Sequence, residues 1–506
     1  MDKYLYTKKN KIDTFNLWMA YPACKSFALA SLGYLWLHKL ADEMDDINSF
    51  MVNLDNPNAH QKANAIAFSL SFDFDFMGVF EILEKNNIPF LSKNRDETVP
   101  LIFAGGPVIT TNPEPYKKIF DFMIIGDGES VFIEILNVLK QNFSKNVALE
   151  KLANIEGVYV PELTKKVKKI TESINKVIYT PIISNESYFK DTFIIEVARG
   201  CMNRCAFCTA SYLNLPFRTY EYERIINAID LGLKHTNKIA LLGAQISAHP
   251  DFERIMEYID KKIDSGIDLE LGISSLRTDA ITPQLIQTLV KGGQKTSTIA
   301  IEAASERLRK FINKNLKEEQ ILNAIRIARE NKLKGLKIYS MIGIPSETQD
   351  DIDEFIKLAK KIKLENKGFE ITFSFSTFVP KPQTPLQWSR REDTKSLEKK
   401  QKYLEKELAK LGIGSKFSSA KWDYWQTLIS RGDENLADFL INVYQNGGKI
   451  GAYKSAYKQL HDKNYIKSIE GFNIDENLVW DFIDSTLDKQ LLINEYNRLL
   501  KYHNSI

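Results

Sequence analysis

The chain has 506 residues, 44% hydrophobic and 26% charged, a globular composition for two or three domains that excludes a fibre or a disordered tail. Lys and Arg exceed Asp and Glu by only 68 to 65, so overall charge does not commit the molecule to nucleic acid, and four cysteines exclude a disulfide scaffold. No run of eighteen apolar residues offers a membrane span, and MDKYLYTKKNK has no apolar stretch behind its charges, so a mature cytoplasmic protein is expected.

Residues 1–160 read as a Rossmann-like parallel α/β domain. Strands are predicted at 15–20, 65–71, 101–104 and 122–125, with helical patterns up to about Met44 and at 78–86 and 130–140. The third strand runs into Gly105-Gly106-Pro107 and the fourth into Gly126-Asp127-Gly128-Glu129. Ligands of an open parallel sheet sit at that edge, so Gly105, Gly106, Gly126 and Gly128 are candidates for backbone approach to a flat or charged cofactor. Neither loop is a GxGxxG or Walker A pattern, which argues against nicotinamide and ATP.

Residues 161–190 form a polar connector with short strands. Its Lys165, Lys166, Lys168 and Lys169 are either a solvated face or a small cationic strip for RNA or another acidic partner. In residues 191–390, strands are predicted at 193–198, 238–242, 269–274, 298–302, 336–342 and 371–375. Helices at 221–233, 251–263, 282–291, 317–330 and 348–362 separate them. Six βα units suit a partial (β/α)6 TIM-type barrel, since a full barrel takes about 250 residues. Residues 391–506 read as mostly helical.

Three of the four cysteines fall within Cys201-Met202-Asn203-Arg204-Cys205-Ala206-Phe207-Cys208. Such clustering suits a soft metal centre better than packing, although inert thiols are the bland alternative. A structural zinc site wants four ligands. The nearest histidines, His235 and His249, lie beyond predicted elements, and the six histidines (38, 60, 235, 249, 461 and 503) form no compact motif. A [4Fe-4S] cluster held by three cysteines would leave one iron open. Cys24, alone in the loop after the first strand, reads as a nucleophile, a weak ligand, a redox group or simply a buried thiol.

CxxxCxxC directly after the first strand of the second block resembles the signature of the radical S-adenosylmethionine (SAM) superfamily. The segments SSLRTD (274–279), IEAASERLRKFINK (301–314), LKIYSMIGIPSET (336–348) and FVPKPQTPLQW (378–388) add to it, as do GGP (105–107), NPEP (112–115) and GDGE (126–129). Together they resemble a subgroup with an N-terminal cobalamin-binding-like domain. The resemblance implies a [4Fe-4S] cluster on Cys201, Cys205 and Cys208, with SAM chelating the open iron. One-electron reduction then yields methionine and a 5′-deoxyadenosyl radical, so a cellular electron donor and an unidentified substrate are required. It implies SAM contacts from Phe207 at the adenine, from Gly243 and Gln245, from Glu302, and from Met341 and Gly343, with an ordinary loop or strand-to-helix turn as the alternative at both glycines. Ser275 and Arg277, after the third strand, suit either the carboxylate of SAM or an anionic substrate, or Arg277 bridges two loops. Gly243-Ala244-Gln245 departs from the usual Gly-Gly-Glu, so a carboxylate contact is missing there. Glu302 has the alternative of pairing with Arg307 or Arg309. Lys381, between two prolines, is a candidate lip residue.

The subgroup's Asp-x-His-x-x-Gly pattern is absent after the first strand, which reads Tyr21-Pro22-Ala23-Cys24-Lys25-Ser26. Cobalamin would therefore bind without a lower histidine, or the domain is a scaffold that orients substrate. Methyl transfer follows if a corrinoid is held. Methylthio transfer is disfavoured by the lack of a second cysteine triplet. The rival from another class is a noncatalytic iron–sulfur or metal-binding protein, RNA-associated or an assembly factor.

Overall fold

Alternating residues of the first strand are buried on opposite faces, as the two-residue period of a strand demands when both sheet faces are covered. In the computed structural model, which describes residues 2–7, 11, 14–273, 275–460, 464–485 and 487–504, Leu17 and Met19 enter one core and Trp18 and Ala20 another. The strands of this sheet are β1 (Phe15–Ala20), β2 (Ile47–Val52), β3 (Ala65–Ser69), β4 (Leu101–Gly105), β5 (Phe122–Ile124) and β6 (Val158–Tyr159). Their order is β2-β1-β3-β4-β5-β6, parallel except for the final pair. Helices α1 (Leu32–Glu43) and α3 (Glu129–Leu139) cover one face and α2 (Phe76–Lys85) the other. The strand order reverses at β1, which opens a crevice at its C-terminal end. The sequence reading missed β2, where Asn48 and Ser49 interrupt the apolar run.

The second block supplies β7 (Thr192–Glu196), β8 (Lys238–Leu242), β9 (Glu270–Ile273), β10 (Thr296–Glu302), β11 (Gly335–Ile342) and β12 (Glu370–Thr377), all six expected strands. The expected (β/α)6 arrangement is modified in two ways. The strands form two parallel sheets, β7-β8-β9 and β10-β11-β12-β13, and the last strand, β13 (Gly414–Phe417), comes from the region expected to be helical. Among the described residues, the parallel bridge Leu276–Ile299 is what links β9's sheet to β10's. The predicted end of β9 at residue 274 lies outside the described residues. One apolar core runs from Phe193 and Ile195 through Ile299 and Phe375 to Leu397, Leu404 and Leu408.

The connector does hold short strands. Ile182–Ile183 pairs with Lys3–Tyr4 and Val167–Lys168 with Ile483–Asp484. Of its lysines, Lys165 is exposed, Lys166 pairs with Asp484 at 3.1 Å and Lys168 with Glu156 at 2.9 Å at the surface, and Lys169 is buried. No helix among the described residues is long and apolar enough to cross a membrane.

Candidate functional site

A cavity of about 410 Å³ fills the crevice at the C-terminal ends of β1, β3, β4 and β5. Its wall is largely apolar and aromatic, with Met19, Tyr34, Trp36, Phe68, Phe103 and Phe132, and among the described residues it contains no histidine or cysteine. All four candidate glycines line it, for different reasons. Gly106 (φ 111°) and Gly126 (φ 109°) are left-handed, and a Cβ would fall 2.4 Å from the Leu70 carbonyl oxygen and 2.2 Å from that of Ile170. These two are fixed by the protein's own backbone. Gly105 and Gly128 meet nothing closer than 3.5 Å and 3.7 Å, so their missing side chains leave room beside the cavity.

The polar end of the cavity joins the two blocks. Arg199 contacts Asp127 at 3.2 Å, Glu129 at 2.6 Å and Glu196 at 2.8 Å. Arg218, opposite Arg199 in a short antiparallel ladder, also holds Asp127, at 2.7 Å. Tyr220 donates to Glu196 at 2.8 Å. Burial opposes the Arg199 charge, but its carboxylates outweigh this and raise its pKa; the two arginines hold Asp127 low despite burial. Lys169, also on the wall, is lowered to about 8 by burial while its ammonium donates to the Leu213 carbonyl. The GDGE carboxylates thus grip the residue two before Cys201.

The cysteine loop leaves β7 through Ala198–Arg199 and Gly200, whose φ of 85° puts a virtual Cβ 2.4 Å from the Asn214 carbonyl oxygen. Cys201 Sγ donates to Gln245 Oε1 at 3.2 Å, and Asn203 Nδ2 donates to the same oxygen at 2.7 Å. Gln245 therefore braces the loop from the end of β8, and Gly243 lies two residues before it. Asn313 holds the Arg204 carbonyl at 3.2 Å, and the Ala206 amide donates to Ile312 O at 3.0 Å. Burial pushes the Cys205 thiol up to about 12; Lys314 pulls the other way, and Cys208, Glu302 and Cys201 add to the rise. These groups share one electrostatic neighbourhood. Among the described residues, no three His, Cys, Asp or Glu side chains form a group suited to a metal ion.

Glu302 ends β10 at a register shift, with φ 66°. The expected alternative partners are corrected: Lys314 takes its carboxylate at 3.0 Å, while Arg307 holds Asp351 and Arg309 holds the Ala303 and Ala304 carbonyls. Burial opposes the Lys314 charge, yet Glu302 and Cys205 raise its pKa; nearby Arg277 acts against them. Arg277 pairs with Asp279 at 2.5 Å, and Ser275 is exposed. Phe207 packs against the apolar cluster that contains Met341, Ile344 and Phe378. The Gly343 amide donates to Glu347 Oε1 at 2.9 Å beneath the 394–410 helix, so that N–H is taken up by the protein itself. Lys381 reaches Asp73 at 2.6 Å, joining the lip to the first domain. Cys24 is half-buried, 3.2 Å from Ser26 Oγ, and does not line the cavity.

Sequence reasoning missed Arg199, Asp127 and Glu129 as a unit, and Lys314 and Asn313 as supports. Arg199 was in view beside the thiols, but its first-domain partners Asp127 and Glu129 lie about 70 residues away and no local signal pairs them.

Fold and site define an α/β protein with a thiol loop at the junction of two sheets that share a cofactor-sized cavity. Residues 25–161 match the family of radical SAM proteins' N-terminal regions, and residues 195–359 match the radical SAM superfamily. An uncharacterized protein of Methanocaldococcus jannaschii is 33% identical over 460 residues, covering 89% of this chain and 96% of its own. The solved structure of OxsB, a cobalamin-dependent SAM radical enzyme, with aqua-cobalamin and SAM bound, matches at TM-score 0.54 and 13% identity over 97% of this chain and 80% of that one. The radical SAM methyltransferase TsrM from Kitasatospora setae, with tryptophan and a SAM analogue, matches at TM-score 0.52 and 12% identity over 71% and 73%. The chain belongs to the radical SAM superfamily and shares its fold with cobalamin-binding members.

Proposed function

We propose that this protein is a radical SAM enzyme that reductively cleaves SAM at a [4Fe-4S] cluster on Cys201, Cys205 and Cys208, and that a corrinoid in the first-domain cavity directs it to methyl transfer. The cluster, when bound, supplies the electron that cleaves SAM. The corrinoid, when bound, supplies a methyl carrier. The chain would work as an open barrel (191–390, completed by β13) docked on a cofactor domain (1–160) through the 161–190 connector.

The observation that carries this reading is the shared wall: Arg199, two residues before Cys201, lines the same cavity as Gly105 and Gly128. A methyl carrier and a radical source must both reach one substrate, and a common chamber allows it. Donor type and spacing support the cluster, although the three thiols are not gathered into a metal-binding group in this structure. Three thiols lie on one short loop, and a buried Cys205 has little reason to ionise unless an iron centre receives the thiolate. The largely apolar cavity, with glycine gaps at its rim, supports a large flat ligand, and a corrinoid there would meet no imidazole among the described lining residues. In this reading Phe207 and Met341 cover the adenine. Glu302, Arg277 and Ser275 hold the ribose or amino-acid part, Gln245 stands at the amino group, and Gly243 and Gly343 allow close turns.

Anaerobic reconstitution followed by SAM and dithionite tests the reading. The expected results are a change in the electron paramagnetic resonance spectrum on adding SAM and production of 5′-deoxyadenosine, both lost in Cys201→Ala. An intact iron centre that does not respond to SAM would leave the rival, a noncatalytic cluster protein. Titration with hydroxocobalamin should give saturable absorbance changes, and their absence removes methyl transfer.

A further inference from the structure

We infer that Arg199 is a positioning residue that fastens the cysteine loop to the GDGE turn of the first domain. Its side chain is only 12% exposed, and its guanidinium meets carboxylates from both blocks, Asp127 and Glu129 on one side and Glu196 on the other. A planar, always-charged fork suits three acceptors in fixed directions; the single ammonium of a lysine does not. Arg199 and Arg218 are also register partners in the backbone ladder, and both side chains close on Asp127. The loop that starts at Gly200 is therefore tied to the first domain by side chains and to residues 218–219 by backbone. Asp127, Glu129, Arg199 and Arg218 all line the central cavity. An occupant of the polar end of that cavity would meet the same groups that set the course of the chain into Cys201. This inference rests on the proposed function only for what the loop holds.

The test reads the loop directly, without cofactor. The full-length apo protein is alkylated with iodoacetamide under native conditions, and rates at Cys201 and Cys24 are followed by peptide mass spectrometry. Cys24 is the internal control, because it is half-buried in the first domain and outside the cavity wall. Arg199→Met should raise the Cys201 rate roughly tenfold relative to Cys24, the fold-change expected when a charge-assisted anchor is lost. Arg199→Lys should restore part of the protection. Glu129→Gln, which removes one contact and leaves Asp127 and Glu196 in place, should raise the ratio by a smaller factor and keeps the test available if Arg199→Met does not fold. An unchanged ratio in Arg199→Met, or in Glu129→Gln if the first variant is insoluble, overturns the inference. A parallel rise at both cysteines also overturns it, because that is general loosening. Failure of the SAM response in wild-type protein would sink the proposed function while leaving this ratio readable.

Discussion

Glu302 concentrates the local cost of the site. Its φ of 66° is unusual for a residue with a side chain, and it falls where the β10–β11 register shifts. Such a conformation costs of order 1–3 kcal/mol and persists where the surroundings over-determine it. Arg309 fixes the carbonyls of Ala303 and Ala304, and Lys314 holds the carboxylate at 3.0 Å beside Cys205. Breaking a buried pair from one side leaves the other charge uncompensated. Lys314→Met should therefore destabilise the protein by about 3 kcal/mol, and Glu302→Gln combined with Lys314→Met should recover most of that loss, as read by urea unfolding. Equal losses in the two variants would mean that the lysine stem, not the ion pair, supports the loop. The residues of this neighbourhood were unequally legible. The thiols stood out because they are close in sequence. Glu302 could be placed at a strand end from its apolar run, but Lys314 could not be paired with it, since the intervening turn brings them together only in three dimensions.

The loops after the strands decide what the elements present. The turn after β3 carries Ser71 and Phe72, whose amides donate to Asp75 Oδ2 at 2.7 Å and 2.8 Å just before α2. Burial raises the Asp75 carboxyl to about 6, more than these bonds lower it. The folded state then holds a proton that the unfolded chain has released between pH 3.8 and about 6. Its contribution to stability is complete below that window and declines as pH rises through it, by roughly 3 kcal/mol at most. Asp75→Asn should remove this part of the pH dependence, so wild type should lose ground to the variant between pH 4 and 6 and run parallel to it above. Thermal melts of both proteins across pH 4 to 8 check this, and parallel curves throughout would put the Asp75 pKa near its ordinary value. At this scale the sequence was largely readable. β8 was bounded at 238–242, as found, because its apolar run is clean. β13 was not seen, because Gly-Ser-Lys-Phe carries no strand pattern and acquires its conformation by pairing with Thr372 to Phe375 of β12.

The boundary expected near residue 390 shows why whole-molecule organisation is the hardest level to read from sequence. Helical periodicity in residues 391–506 announces helices but not what they cover. Leu397, Leu404 and Leu408 belong to the core of β7–β12, whereas Trp425, Leu428, Phe439 and Tyr453 cover the α2 side of the first sheet. Tyr444 packs against Phe80 and Phe90 and donates to Glu84 at 2.7 Å. The C-terminal region is thus the shared lid of both blocks. Burial of each large apolar side chain is worth about 1.5–3 kcal/mol, and a whole domain is stable by only about 5–15 kcal/mol. Removing the region also uncovers Phe76, Phe80 and Phe375, against which Tyr453, Tyr444 and Phe417 pack. A chain ending at Arg390 should accordingly be aggregated or expanded, with strong binding of a hydrophobic dye and no sharp thermal transition, whereas one ending at Asn504 should behave as the full chain. Size-exclusion chromatography and calorimetry decide it. A monodisperse, cooperatively melting 1–390 fragment would show that the two sheets close their cores without the C-terminal region, and the shared-lid account would fall.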